Sequence, residues 1–481
     1  MNLPATLALV PIPGNIFSNS LWVAVFALVH VQIATFIVGA TTIAIVSEII
    51  FHANRDPRHE ALARHLLHAI TYVFGFGSAL AIFWVMLIFM GLWGKFFVEL
   101  DQITFWVFVF EAAFFVAEIV ALYALYGNYE KLGRYGAARI GMMILLNIAF
   151  IVQMVLIDVV ASYMLTPNGG STNQLAQVLN PTDLPLDIHR LVGNIAWAGA
   201  VIALGGALSM LRSKRRLRKL GRTGGTAGLA THGVGAMSAS EFPAGRQVSA
   251  AELKKRMEFA DWAGHWGLLW AFGFTLLQPW IGYSYAKEIQ LNAFPAWSDM
   301  MLGNLSGVFV IQICLLGLIF VFGSLYFRSR IARAGGSTRW ATVWFVLLVL
   351  AWLLAIQPAS LQIPGTETYL TAPFSLGLMF PFKIYALFGM VLFGLAAITT
   401  YLHQMGLRKV EWGEASRKGQ ALLLAFGLTV SVIMAVMGYI REDSRQPYLV
   451  EGEIHISGQQ TIASAPPIQP RSASPQNASG T

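Results

Sequence analysis

Ten stretches of the chain are apolar for long enough to cross a bilayer, near residues 19–51, 67–94, 102–126, 139–164, 188–211, 262–286, 303–327, 340–357, 376–404 and 418–440. A spanning helix needs about 20 mostly apolar residues, and these runs supply that length repeatedly. The pattern predicts an all-α, polytopic transmembrane bundle of about ten helices. The polar segments between the runs test the count. The loops after the first, third, fifth, seventh and ninth runs hold 25 of the 32 Lys and Arg residues. Cytoplasmic loops carry the excess of Lys and Arg, so both termini are expected on the outer, periplasmic side of a bacterial inner (plasma) membrane. One helix more or fewer would break this alternation.

Composition agrees with the pattern. Of 481 residues, 56% are hydrophobic and 12% charged, and a soluble protein of this size carries roughly twice that charged fraction. The net charge of +8 follows the loops, so it reads as topology and not as a nucleic-acid surface. The single cysteine, Cys314, excludes internal disulfides, a CxxCH heme attachment and cysteine-held clusters. Four segments follow: residues 1–212 with the first five helices, a basic and flexible cytoplasmic loop at 213–260, helices six to ten over 261–456, and a Ser-, Pro- and Ala-rich tail at 457–481, expected to be disordered. Residues 1–17 have no basic n-region and read as a lead-in to the first helix.

Ionisable groups inside a bilayer are expensive and mark partners, cavities or cofactors. Here they are few: His30, Glu48, Glu111, Glu118, Asp158, His189, Lys383 and, at the end of the last helix, Arg441, Glu442 and Asp443. The topology puts His30, His189, Lys383, Glu442 and Asp158 toward the outer side, on separate helices. Imidazole suits iron, so this layer is a candidate heme site. Glu111 and Glu118 are seven residues apart, two turns of helix and one face, a spacing for a proton relay or a packing pair. Glu48 sits near the inner end and is expected to snorkel to water. His52, His59, His65 and His68 have a metal-like density, but a solvated basic loop is the simpler reading.

These residues, with their surroundings, resemble subunit I of the cytochrome bd-type quinol oxidases. The blocks that carry the resemblance are LVHVQIATFIVGATTIAIVSE, VFEAAFFVAE, SYMLTPNG, HRLVGNIAWAGA, FPFKIYALFGM and GYIREDSRQPYLVEGE, in family order over residues 20–212 and 376–453. The resemblance implies heme b in low-spin and high-spin forms, with heme d as an alternative at one high-spin position. Under it, His30 and Glu442 ligate the high-spin hemes and His189 the low-spin heme. Glu111 and Glu118 serve proton delivery, and Lys383 and Arg445 neutralise propionates or acids. It also implies a subunit II-type membrane partner, quinol or another donor, and O2, with no nucleic acid. The chain departs from the family in three ways. Tyr385 stands where the methionine ligand is expected, with Met390 more than a turn beyond. Tyr163, Gly438 and Tyr448 replace tryptophans. The long outer quinol loop and the family's last helix are missing. Three functions are therefore weighed: a bd-like oxidase reducing O2 to water, a bd-like electron-transfer subunit of a larger respiratory complex, and an ion- or proton-coupled transporter.

Overall fold

The computed structural model describes residues 19–83, 94–133, 136–166, 180–222, 249–301, 305–356, 381–408, 410–414, 416–443, 448–450 and 454–455. Among the described residues it is a helix bundle of α1 (Asn19–Asn54), α2 (Pro57–Phe83), α3 (Gly94–Leu132), α4 (Gly136–Tyr163), α5 (Asp183–Arg222), α6 (Ala250–Asn292), α7 (Phe294–Met301), α8 (Ser306–Arg333), α9 (Arg339–Ala355), α10 (Pro381–Gly406) and α11 (Arg417–Asp443). A short antiparallel ribbon, β1 (Tyr448–Val450) and β2 (Ile454–His455), follows α11. Each of the ten apolar runs corresponds to a helix of 17 residues or more, and α7 is an additional short one. Among the described residues, eight helices are long and apolar enough to cross a membrane; the chain is a multi-pass membrane bundle. The end carrying the Lys- and Arg-rich loops is called the basic end below.

Two of the ten runs fall outside those eight, for different reasons. Helix α9 has only 17 residues. Helix α6 is 43 residues long but carries Asp261, His265 and several tryptophans, and it is buried almost continuously from Ala260 to Leu268. A helix enclosed by other helices does not need an apolar lipid-facing surface, so polarity that partners satisfy is tolerated there.

The bundle is organised around the crossing of α5 and α6, where small residues let the two backbones touch. A Cβ on Gly199 would lie 2.6 Å from the Ala271 amide nitrogen, and one on Gly206 would lie 2.7 Å from the Ala260 carbonyl oxygen. Gly267 on α6 meets the Gly199 carbonyl oxygen equally closely, at 2.6 Å. Such stripes of small residues are how membrane helices gain dispersion contact without a hydrophobic drive. Helix α1 joins this centre in the same way, because any Cβ at Gly39 would collide with the Asn194 carbonyl of α5. Helices α3 and α4 pack as a pair beside α1 and α2, α8 lies along α11, and α9 lies along α10.

Helix ends run past the hydropathy boundaries. Helix α2 starts at Pro57, ten residues before its apolar run, because Asp-Pro supplies a cap: Asp56 Oδ1 accepts from the Arg58 amide at 3.0 Å, and Pro57 occupies the first helical position. The chain enters this turn through Arg55 in the left-handed conformation (φ 58°). Helices α5 and α6 extend to Arg222 and from Ala250, so part of the 213–260 segment is helical. Ser249 caps α6 by accepting from the Glu252 amide at 3.1 Å. Residues 223–248, the lead-in 1–17 and the tail 457–481 lie outside the described residues.

Among the described residues, three buried ion-pair clusters tie helices together, and the first corrects a sequence expectation. Glu48 does not snorkel: it is fully buried, accepts from Tyr129 Oη at 3.0 Å, and is bonded by the Arg139 guanidinium. Arg139 also reaches Glu60 at 3.2 Å, so α1, α2, α3 and α4 meet on one cation at the basic end. The second cluster, also at the basic end, pairs Asp261 of α6 with Arg330 of α8 through two bonds of 3.1 and 2.9 Å. The third pairs Asp158 of α4 with Arg190 of α5 at the opposite end. The histidine cluster is not a solvated loop either. His52 ends α1 and bonds the Glu48 carbonyl at 2.9 Å. His59 is buried on α2, edge-on to Trp262 and Trp266 at 4.9 and 5.1 Å. His65 and His68 follow on the same helix.

Candidate functional site at the end opposite the basic loops

Helix α5 begins at Asp183 and presents His189 in its second turn, buried and facing α6. The ring lies against α6 where that helix has no side chain: a Cβ on Gly282 would come within 3.4 Å of His189 Cε1. Tyr285, one turn further, stacks on the imidazole with centroids 6.0 Å apart. Gln278 donates to the His189 carbonyl at 2.9 Å, and Pro279, next in sequence, removes one amide from the α6 ladder at this level. His189 Nδ1 is buried with no hydrogen-bond partner among the described residues.

His30 sits on α1, partly buried, with its ring against the Gly77 backbone of α2. It and His189 share one neighbour that the sequence reading did not select. Arg190 acts electrostatically on both imidazoles and bonds the Asp158 carboxylate. Arg441, in the last turn of α11, acts on His189 as well. Two imidazoles from α1 and α5 and two guanidiniums from α5 and α11 therefore gather at one end of the bundle. Asp158, one of the outer-side ionisable groups in the sequence, is bound to α5 through this guanidinium. The signal for Arg190 was its place beside His189 in an apolar run. Its carboxylate partner, 32 residues upstream, carried no local cue.

Glu111 and Glu118 lie on one face of α3. Glu118 is buried, and the Gln153 amide of α4 faces its carboxylate at 2.5 and 2.6 Å. Glu111 is partly buried. Seven residues of helix separate the two carboxyls along the axis by about 10 Å, too far for direct proton exchange. Met390 is buried on α10, 1% exposed, whereas Tyr385 is 75% exposed and turns to the outer surface of the bundle. The structure thus does not bring Tyr385 inward with His189. Lys383 and Glu442 fall in the first turn of α10 and the last turn of α11; their side chains, and Arg445 entirely, lie outside the described residues.

Among the described residues no group of three or more His, Cys, Asp or Glu is placed to hold a bare metal ion. A heme iron asks less of the protein, since the macrocycle supplies four donors and the chain one or two axial ligands. His189, with an unpartnered ring nitrogen in a buried, cation-rich setting, has the donor chemistry for that role.

No family model matches the sequence, and no match was found among curated proteins. Among solved structures, the chain is similar to a bd oxidase from Geobacillus thermodenitrificans, at 14% identity and a TM-score of 0.45, over 89% of this chain and 98% of that one. The similarity assigns no residue a role.

Proposed function

We propose that the chain is the heme-carrying membrane subunit of a bd-like terminal oxidase, which takes electrons from a quinol or another donor and reduces O2 to water. The observation that carries this reading is the buried His189 ring of α5, seated in the hollow at Gly282 of α6 with its Nδ1 unpartnered among the described residues, with Arg190 in electrostatic range of it and of His30 on α1, and Arg441 in range of His189. Under the proposal, His189 holds a low-spin heme b, and His30 and Glu442 hold the high-spin hemes, one of them b or d. Bound there, the hemes supply one-electron transfer and oxygen reduction.

The chain's own part is positioning, charge and protons. Arg190 and Arg441 balance the anionic edge of a bound macrocycle, in the role that the sequence resemblance gives to Lys383 and Arg445. Asp158 bonds the Arg190 guanidinium and so holds it against α4. Glu118, held by Gln153, and Glu111 mark a proton route along α3, with water bridging the gap between them. Met390, buried on α10, is the sulfur donor this reading favours over the exposed Tyr385. A subunit II-type membrane partner completes the assembly in this reading.

A reduced-minus-oxidised optical spectrum of the purified protein, with and without carbon monoxide, tests the proposal. Heme bands are expected, including a carbon-monoxide-sensitive component lost in His30→Ala or Glu442→Ala and a low-spin component lost in His189→Ala. Bands that ignore carbon monoxide would transfer the protein to the electron-transfer reading. Absence of heme would leave the ion- or proton-coupled transporter.

A further inference from the structure

Helix α5 is one unbroken helix of 40 residues, Asp183–Arg222. At 1.5 Å per residue it is about 60 Å long, while a bilayer with its headgroups is about 40–45 Å thick. Its apolar run ends near residue 211, so residues 212–222 stand outside the hydrocarbon at the basic end. Helix α6 supports this extension along one stripe: Ser213 is buried, and Leu217 packs on the buried cluster of Met210, Met257 and Ala260. The remaining arc is cationic, with Arg212, Arg215, Arg216, Arg218 and Lys219 exposed.

Residues 212–222 hold seven Lys and Arg and no acid, and no Asp or Glu occurs between Asp187 and Glu241. Of the chain's net charge of +8, these seven supply all but +1. Topology does not ask for such a concentration, because the four other loops at the basic end hold only three or four Lys and Arg each. Four pairs of these cations stand four residues apart, from Arg212 with Arg216 to Arg218 with Arg222. Like charges at that spacing repel across one helix turn and oppose the helix. The C-terminal helix dipole offsets only those in the last turn. Depth indicates what offsets the rest. Arg212 to Arg216 emerge at the level of the headgroups, and Lys219 stands about 12 Å beyond residue 211. A headgroup layer is about 5–7 Å deep, so Lys219 is within a Debye length of it, ~8 Å at physiological salt.

We propose that the basic extension of α5 is a docking site for anionic phospholipid headgroups of the leaflet at the basic end. Arg215, Arg216, Arg218 and Lys219 pair with the lipid phosphates, which separate the like charges and hold the α5–α6 hairpin at a fixed depth. An anionic leaflet presents its phosphates at the height where these cations leave the hydrocarbon, whereas a soluble acidic partner would have to bring its charge to that height. The site is independent of the heme reading and lies at the other end of the bundle.

The test uses the full chain in phosphatidylcholine vesicles. It reads the preference of the protein surface for spin-labelled phosphatidylglycerol over spin-labelled phosphatidylcholine. The wild type is expected to prefer phosphatidylglycerol, and the preference to shrink as sodium chloride is raised. In a variant carrying Arg215→Gln, Arg216→Gln, Arg218→Gln and Lys219→Gln, the preference should fall at least about threefold. The charge-keeping set Arg215→Lys, Arg216→Lys and Arg218→Lys should retain most of it. Arg328→Gln, Arg333→Gln, Arg417→Gln and Lys418→Gln remove exposed cations of α8 and α11 at the same end and should leave it nearly unchanged. Glutamine is a good helix former and removes the repulsion, so the α5 variant is expected to melt no lower than wild type in phosphatidylcholine alone. A lower melting temperature there would mean that the cations serve contacts within the protein, and would overturn the proposal. A wild type without preference overturns it too, as does an equal loss in the α8–α11 set. Binding of soluble polyglutamate that the α5 variant loses, found without a preference for phosphatidylglycerol, would assign the surface to an acidic protein instead.

Discussion

Glu48 and Arg139 are where a single atom's removal should be felt furthest. Their ion pair is buried, with side chains 0% and 2% exposed, and breaking one partner of such a pair leaves a charge without compensation. Arg139→Met is expected to destabilise the protein by about 3 kcal/mol or more, and Glu48→Gln less. The double variant Glu48→Met with Arg139→Met should recover much of the loss in detergent thermal unfolding; failure to recover would mean that Tyr129 and Glu60 depend on Arg139 independently. Arg55 gives a prediction of opposite sign. A non-glycine residue in the left-handed region costs roughly 1 kcal/mol, so Arg55→Gly is expected to be neutral or slightly stabilising despite losing the contact over Phe51. At the same turn, the Arg58 guanidinium bonds Asp56 and holds its carboxyl below the usual carboxylate range. Stability from this pair is therefore present above the ordinary carboxylate value and lost as pH falls through the lowered one. Asp56→Asn should remove that acid-side dependence and cost a few tenths of a kcal/mol to about 1, in keeping with its partial exposure. The Asp-Pro cap could be read from sequence because every part of it is local. The fates of Glu48 and Asp158 could not: their partners lie 91 and 32 residues away, and an isolated carboxylate near a helix end looks the same whether it snorkels or pairs.

Among elements, the α5–α6 crossing has the least tolerance. Gly206→Val would place new methyls against the Ala260 carbonyl and the Gly264 backbone. Backbone cannot rotate away as a side chain can, so overpacking here should cost at least about 3 kcal/mol or force the helices apart. A valine at Gly141, where nothing lies within 4 Å of a Cβ, serves as the control, and its melting temperature should differ little from wild type. The long helices were legible because length and hydropathy alone determine them. The identity of the central pair was not. Hydropathy ranks α6 low for its aspartate and histidine, and these same residues show that it is enclosed: Asp261 meets Arg330, and His265 Nδ1 meets Tyr401 Oη at 2.9 Å.

For the whole molecule, the charge alternation of the loops makes a prediction that the bundle alone does not settle. With Cys314→Ala as background, single cysteines at Arg215 and Lys418 should be labelled by an impermeant maleimide from the same side of sealed vesicles. Cysteine at Lys287 should label from the other. Labelling of all three from one side would break the ten-helix topology and the assignment of the histidine layer to the outer face with it. The candidate site was legible in part for a physical reason: imidazoles in an apolar chain are conspicuous wherever they fold. Of the cations near them, Arg190 looks from sequence like an ordinary interfacial charge, and Arg441 stands out only as one of three charges closing the last helix. Only folding shows that both act on His189.

The glycine crossing also sets a rule for how this chain can change its length. Because Gly199 and Gly206 are fixed against α6 backbone, the helix between them and His189 works as a ruler and a dial. One residue inserted there moves His189 by about 1.5 Å and turns it about 100°, away from the hollow at Gly282. Descendants of this sequence can therefore lengthen α5 toward the basic end at little cost. Toward the histidine end, an insertion in α5 must be matched by one in α6 between Gly267 and Gly282, or the imidazole is carried round to another neighbour.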